Sequence, residues 1–106
     1  EDLVILGVTP GVAGTSNTLT VGGGTPGARV TLIVSTRAGS TALPGCPGVT
    51  VPLGGTITVL GARTATGASR AVFTFTAPST AAGVTARFVA VELASCRVSP
   101  VLAEPL

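Results

Sequence analysis

Few side chains in this sequence are suited to acid–base or nucleophilic chemistry. The sequence has six Arg but no His, Lys or Tyr, and its carboxylates are Glu1, Asp2, Glu92 and Glu104. A hydrolase triad normally needs a His base, and a paired-carboxylate mechanism needs two acids facing one substrate. Glu92 has a simpler interpretation as a structural ion pair with Arg97 or Arg87. We therefore predict that the chain is not an enzyme.

The two cysteines, Cys46 and Cys96, point to covalent structure rather than to metal binding. A zinc site needs four N or S ligands. No third Cys and no His is present to complete one. A disulfide is the simplest interpretation, and it would close a loop of about 50 residues and contribute roughly 4 kcal/mol. Disulfides persist in oxidising compartments, so we expect an extracellular or cell-surface protein.

No cofactor or metal is expected. The loops lack the carboxylates that calcium needs, and the absence of His and Met argues against haem ligation. The run Gly22-Gly23-Gly24 opens no predicted helix, so it favours a hairpin turn over a phosphate cradle. Because the first residue is Glu rather than Met, we expect either a chain matured by signal-peptide removal or an excised fragment.

Composition excludes several kinds of partner. The 106 residues predict one domain, with 9% charged residues, a net charge of +2 and a mean hydropathy of +0.70. The six Arg are scattered and there are only three Phe, so neither a basic patch nor a stacking platform for nucleic acid is expected. No apolar run approaches the length of a membrane-spanning helix, which predicts no membrane insertion. The absence of Trp and Tyr disfavours carbohydrate stacking.

The residues that build the scaffold favour strands throughout. The sequence is rich in Thr and Val, which favour strands, and it contains 15 Gly and 8 Pro as turn formers. This composition predicts an all-β fold. The turn signals predict eight strands, at Asp2–Val8, Asn17–Gly22, Ala28–Thr36, Val49–Val51, Thr56–Thr66, Arg70–Ala77, Thr85–Ala94 and Arg97–Ala103. The Pro- and Gly-rich stretch Ser40–Pro52 predicts an ordered loop or a short edge strand.

Three of these strands are apolar on both faces. In the first, Leu3 and Ile5 oppose Val4, Leu6 and Val8. In Ala28–Thr36, Ile33 opposes Val30, Leu32 and Val34, and in Thr85–Ala94 the side chains of Phe88 and Ala90 oppose Val89, Val91 and Leu93. Two other strands alternate regularly, with Ile57 and Val59, and Ala71, Phe73 and Phe75, directed inward. In an isolated sandwich, each strand has one face exposed to solvent. Strands that are apolar on both faces therefore need other residues to cover both sides.

From about residue 15 to 100 the chain resembles bacterial secreted immunoglobulin-like β-sandwich modules of the two-cysteine type. The resemblance lies in Thr25-Pro26-Gly27-Ala28-Arg29-Val30, in Gly45-Cys46-Pro47-Gly48, and in Ala90-Val91-Glu92 followed by Cys96-Arg97-Val98-Ser99. Modules of this kind usually carry a polar residue where Val89 stands. The resemblance implies a Greek-key sandwich of about seven to eight strands and an extracellular address, and it implies no activity.

These features lead to a hypothesis of self-assembly. In it, residues 1–9 form a strand donated to a neighbouring subunit, residues 10–16 form the hinge, and residues 17–106 form the sandwich body of a single domain. Strand addition supplies main-chain hydrogen bonds, and a head-to-tail contact that does not close produces a filament. The predicted assembly residues are Leu3, Val4, Ile5, Leu6 and Val8 on the strand, with Ile33, Val72 and Val89 as lateral contacts.

Two other interpretations remain open. Residues 2–8 can form an ordinary strand of the chain's own sandwich, with their second face covered by a loop. The chain can also be a monomeric module of a larger surface protein that binds an unknown ligand, mainly through the segment Arg37–Gly55. The hypotheses differ in whether the chain associates with itself as its concentration rises.

Overall fold

A computed structural model describes residues 3–106 of the chain as an all-β protein. Glu1 and Asp2, predicted to begin the first strand and counted among the carboxylates, lie outside these residues. Ten strands are formed in the described part: β1 (Val4–Thr9), β2 (Ser16–Gly22), β3 (Arg29–Ser35), β4 (Arg37–Ala42), β5 (Thr50–Gly54), β6 (Thr58–Thr64), β7 (Arg70–Thr76), β8 (Thr85–Glu92), β9 (Arg97–Val98) and β10 (Leu102–Pro105). A 3₁₀ turn occupies Ser79–Ala81. No helix within residues 3–106 has the length and apolarity needed to cross a membrane.

The strands form three antiparallel sheets. The front sheet has the order β1-β2-β7, and the back sheet has the order β10-β8-β3-β6, with the short β9 also paired to β8. The third sheet is the hairpin β4-β5. Every strand pair in the described chain is antiparallel. The described residues form ten strands and no α-helix, which confirms the all-β class predicted from composition.

The main core lies between the front and back sheets. Its fully buried members include Leu19 and Val21 from β2, and Val30, Leu32 and Ala90 from the back sheet. The predicted alternation of β7 is confirmed, because Ala71 and Phe73 are buried in this core and Phe75 packs against it. Facing rows of branched and aromatic side chains supply the hydrophobic stabilisation of the sandwich.

A second, smaller core lies on the outer face of the back sheet. Ile33, Val89 and Val91 project from β3 and β8 on the side opposite the main core, and Val51 and Leu53 of the hairpin cover them. The predicted two-faced character of these two strands is therefore confirmed. The chain's own hairpin provides the cover for their second face.

The hairpin was only partly predicted. Thr41 pairs with Val51 and Ala42 with Thr50, so the start of the stretch Ser40–Pro52, expected as an ordered loop or a short edge strand, belongs to the strand Arg37–Ala42. Proline and glycine are concentrated in the connection between the two strands, where Leu43 and Val49 are joined by a backbone hydrogen bond of 2.9 Å. The overall Pro and Gly content therefore obscured a pair of strands whose register also shifts between Ala38 and Thr41.

Two bulges change the predicted faces of strands. In β1, Ile5 pairs with Val21 but Gly7 pairs with Thr20, so Leu6 is an extra residue and the alternation reverses after it. Val8 therefore packs against the main core with Leu3 and Ile5, and the prediction that it shares a face with Val4 and Leu6 is wrong. A bulge inserts one unpaired residue and shifts everything beyond it to the other face.

The second bulge lies in β6. Leu32 pairs with Gly61 and Ile33 with Val59, which leaves Leu60 as the extra residue directed at the main core. The prediction that Val59 points inward is wrong, since this side chain is 64% exposed. Ile57 packs against the second core instead.

The predicted strand Arg97–Ala103 is two strands. Pro100 has no N–H to donate, and the chain leaves the ladder between β9 and β10 at this point. Together with the hairpin strand β4, this break raises the number of strands above the seven to eight expected.

Candidate functional site

Glu92 is a buried carboxylate whose oxygens are fully engaged by other groups of the chain. Its side chain is 1% exposed and forms an ion pair of 3.0 Å with Arg97, which confirms the predicted structural pairing. The Thr25 amide donates to Oε1 at 2.7 Å and the Thr25 hydroxyl donates to Oε2 at 3.0 Å. The Ser95 hydroxyl donates to Oε2 as well.

These contacts determine the charge of Glu92. Burial by itself raises the pKa of this carboxyl, but the hydrogen bonds from Ser95, the Thr25 backbone, Arg97 and the Thr25 hydroxyl outweigh it and lower the pKa to about 2. A carboxylate this acidic and this fully bonded does not exchange protons near neutral pH. Its role is to join the β2–β3 turn to the turn after β8.

The predicted disulfide between Cys46 and Cys96 is formed, with the two Cα atoms 5.6 Å apart. Cys46 lies in the turn of the hairpin, and Cys96 lies in the turn between β8 and β9. The bond therefore attaches one end of the hairpin to the back sheet, beside the Glu92 contacts.

The predicted donor strand β1 pairs with β2 of its own chain and lies at the edge of the front sheet. Its side chains divide between the core and the surface. Leu3, which precedes the strand, and Ile5 are buried in the main core, whereas Val4 and Leu6 are 37% and 51% exposed. The strand thus carries both an anchoring face and an outward apolar face.

The exposed residues of the three front-sheet strands are uncharged, apart from Arg70 at one end of β7. Leu6 lies across Gly22, where an added Cβ would come within 3.2 Å of Leu6 Cδ1. Val72 on β7 is 51% exposed and pairs with Thr20. We call Val4, Leu6 and Val72 the front patch.

The other two predicted lateral contacts do not reach this surface. Ile33 is 8% exposed and Val89 has no exposed area, and both lie in the second core under the hairpin. Both side chains are already covered by the chain's own hairpin, so neither is available for contact with another copy.

The predicted hinge, residues 10–16, is held by a residue that sequence reasoning did not single out. Asn17 is fully buried, and its Oδ1 accepts from the amides of Gly11 and Val12 at 2.8 and 3.0 Å. Its Nδ2 donates to the carbonyls of Val12 and Thr15 at 3.1 and 3.0 Å. The signal was an Asn at the start of a strand after a Gly-rich turn, because Asn side chains commonly bond nearby backbone.

A cleft of about 340 Å³ lies beside the second core and is lined by both the hairpin and the outer face of the back sheet. Its lining combines sheet and hairpin residues, including Ile33, Val51, Ile57, Val59, Val91 and Leu93. No charged side chain of the described residues contributes to the lining. Two apolar side chains on its rim, Val59 and Leu93, are 64% and 48% exposed.

Comparison of this chain with family models, with curated proteins and with solved structures finds no match.

Proposed function

We propose that the chain is a non-catalytic structural subunit of an extracellular polymer, in which copies are joined head-to-tail by exchange of β1. The observation that carries this proposal is the position of β1 at the edge of the front sheet. Within the described chain it is hydrogen-bonded to β2 alone, and the loop of residues 10–15 connects the two strands.

Exchange of an edge strand preserves the contacts that hold it. Leu3 and Ile5 of one copy can fill the same core positions in the next, and the ladder to β2 forms with the same register. The cost is limited to opening the loop that Asn17 holds and to the entropy of association. Exchange of an identical element is a low-cost route to association, and a non-closing exchange extends into a filament.

The front patch supports association as well. Val4, Leu6 and Val72 are exposed on the same face of the front sheet, and exposed apolar patches are typical of protein contact sites. On this proposal β1 supplies the ladder and the front patch supplies side-to-side contact between copies.

The strand order supports an immunoglobulin-like Greek-key sandwich for the subunit. β7 returns beside β2 after the chain has passed through the back sheet and the hairpin, and β8 lies beside β3. Long connections between two antiparallel sheets are characteristic of that architecture. The Cys46–Cys96 disulfide supports an oxidising, extracellular location.

Covalent trapping tests the exchange. Thr9 on β1 pairs with Thr18 on β2, and both side chains are exposed, so the double variant Thr9→Cys/Thr18→Cys can form a disulfide between them. If β1 is exchanged, oxidation of a concentrated sample links copies into a ladder on a non-reducing gel. If β1 stays in its own chain, the bond is intrachain and the band remains monomeric.

The matched control is Thr18→Cys/Thr74→Cys. Thr18 and Thr74 are also a directly paired, exposed couple, but both belong to the sandwich body. Their disulfide stays within one chain whether or not β1 is exchanged. A monomeric band for both variants at every concentration, with no fibres by negative-stain electron microscopy, would refute the proposal.

A further inference from the structure

We propose that the cleft between the hairpin and the back sheet binds one free, uncharged molecule with a hydrocarbon chain of about ten carbons. This inference concerns the side of the back sheet that faces away from the front sheet. It does not depend on the exchange of β1.

The hairpin wall of the cleft is attached to the rest of the fold at both ends. One end of the hairpin is attached by the Cys46–Cys96 disulfide. At the other end, the Ser35 hydroxyl donates a short hydrogen bond to the carbonyl of Gly54. Between these points Val51 and Leu53 pack on the back sheet. Small-molecule sites are usually preformed clefts of this kind.

The size of the cleft sets the size of the ligand. A cavity of about 150 Å³ holds a benzene ring. At about 340 Å³ this cleft has room for roughly twice as many carbon atoms. A chain of about ten carbons would therefore fill it.

The lining sets the chemistry of the ligand. Because no charged group among the described residues faces the cleft, an ionised group inside it would lose its hydration without gaining a partner. Two hydroxyls contribute to the lining. That of Thr41 already donates to the Leu53 carbonyl at 2.7 Å. Thr31 makes no side-chain hydrogen bond to another described residue, so its hydroxyl is available for one uncharged oxygen of a ligand.

Two exposed apolar side chains at the opening of the cleft favour the binding of an apolar ligand, because the ligand would remove their surface from water. Val59 and Leu93 flank the opening with about half or more of their surface exposed, and burying such apolar surface is favourable. The segment Arg37–Gly55, which the sequence suggested as a ligand-binding region, forms the hairpin wall.

The test is a titration of the full chain with 1-decanol, followed by the methyl signals in NMR spectra. The sample is diluted until sedimentation shows monomers. We expect saturable shifts confined to cleft residues such as Ile33, Val51 and Val91, with a Kd between about 1 and 100 µM. Thr31→Val, which keeps the shape but removes the hydroxyl, should weaken binding about 2- to 10-fold.

Charge substitutions at the rim locate the site. Leu93→Asp and Val59→Asp should each weaken decanol binding by at least about 10-fold, because each places a carboxylate beside the hydrocarbon of the bound decanol. Val101→Asp is the matched control, since Val101 is 39% exposed and does not line the cleft, and its affinity should equal that of the parent. Retained spectral dispersion confirms that each variant is folded.

Three results would overturn the inference. The first is a failure to locate binding in the cleft. Either no saturable shift of the methyl signals appears up to the solubility of decanol, or the shifts persist unchanged in Leu93→Asp and Val59→Asp. The second is a concentration-dependent shift of the cleft signals without decanol, which would make a second copy the occupant. The third is sedimentation of the chain with phosphatidylcholine vesicles without binding of free decanol, which would make a membrane surface the partner.

Discussion

Replacing Glu92 with Gln should destabilise the protein and remove most of its acid sensitivity between pH 4.5 and pH 2. Glutamine has the same shape as glutamate but carries no charge. It also turns one acceptor oxygen into an NH₂ group. That group would face donors from Ser95, Thr25 and Arg97 that now point at Oε2.

The magnitude follows from the pKa of Glu92. Its fall from an ordinary 4.5 to about 2 corresponds to at most about 3 kcal/mol in the free energy of unfolding. Arg97 is 30% exposed, so solvent screening reduces this to roughly 2 kcal/mol. This is a substantial share of the about 5–15 kcal/mol that holds a typical domain together.

The contribution of Glu92 to the free energy of unfolding decreases as the pH falls. The folded pKa of Glu92 is depressed, so the unfolded chain binds more protons than the folded chain between pH 4.5 and pH 2. The stabilisation is complete above about pH 5 and is lost as the pH falls through this window. The Gln variant has no ionisable group here, so its stability should lose this part of the slope.

Urea unfolding at pH 7, 4 and 2.5, followed by far-ultraviolet circular dichroism, measures both effects. We expect a gap of about 2 kcal/mol between parent and Glu92→Gln at pH 7, shrinking to well below about 1 kcal/mol at pH 2.5. Glu104→Gln is the control, because Glu104 forms no ion pair with another described residue. Equal midpoints for parent and Glu92→Gln at pH 7, or a gap that does not shrink in acid, would refute the reasoning.

Three further predictions concern stability. Replacing Cys46 and Cys96 together with Ala should cost roughly 4 kcal/mol, because the bond constrains a long loop of the unfolded chain. Calorimetry measures this loss, and an unchanged Tm would contradict it. Gly39→Ala should lower stability by about 1–3 kcal/mol, since its Cβ would lie 2.8 Å from the backbone of Gly54. Gly67→Ala is its control, with nothing within 4 Å of the new Cβ, and similar urea midpoints for the two variants would count against the packing argument. Asn17→Ala should cost about 2 kcal/mol, because the buried N–H of Gly11 and the partly buried N–H of Val12 lose their acceptor. Amide hydrogen exchange at Gly11 and Val12 should also become faster. Unchanged exchange rates there would show that the loop stays ordered without the Asn17 side chain.

Much of the fold could be predicted from periodicity. The alternation along β7 assigned Ala71 and Phe73 to the core, and the opposed apolar faces of β3 and β8 indicated that both sides of the back sheet are covered. Such assignments succeed because side chains alternate across a strand wherever pairing is regular.

Predictions failed where pairing is irregular. Val8 and Val59 lie on faces that strict alternation does not give them, because one extra residue in β1 and one in β6 shift the strands. A bulge depends on how two strands meet, and the sequence of one strand carries little trace of it. The strand β4 was predicted only as one alternative for part of its length, since its residues are mostly exposed and its pairing depends on β5.

The features of the fold and of the candidate sites also differ in whether local sequence or tertiary packing determines them. From the sequence alone came the all-β class, the Cys46–Cys96 bond, the pairing of Glu92 with an arginine, and the apolar character of the first strand. These depend on composition, on the small number of possible partners, and on local periodicity. The tertiary structure decided what covers the second face of β3 and β8, which side chains form the front patch, and where the cleft opens. Those features arise where distant segments pack against one another, so no single stretch of the chain contains them.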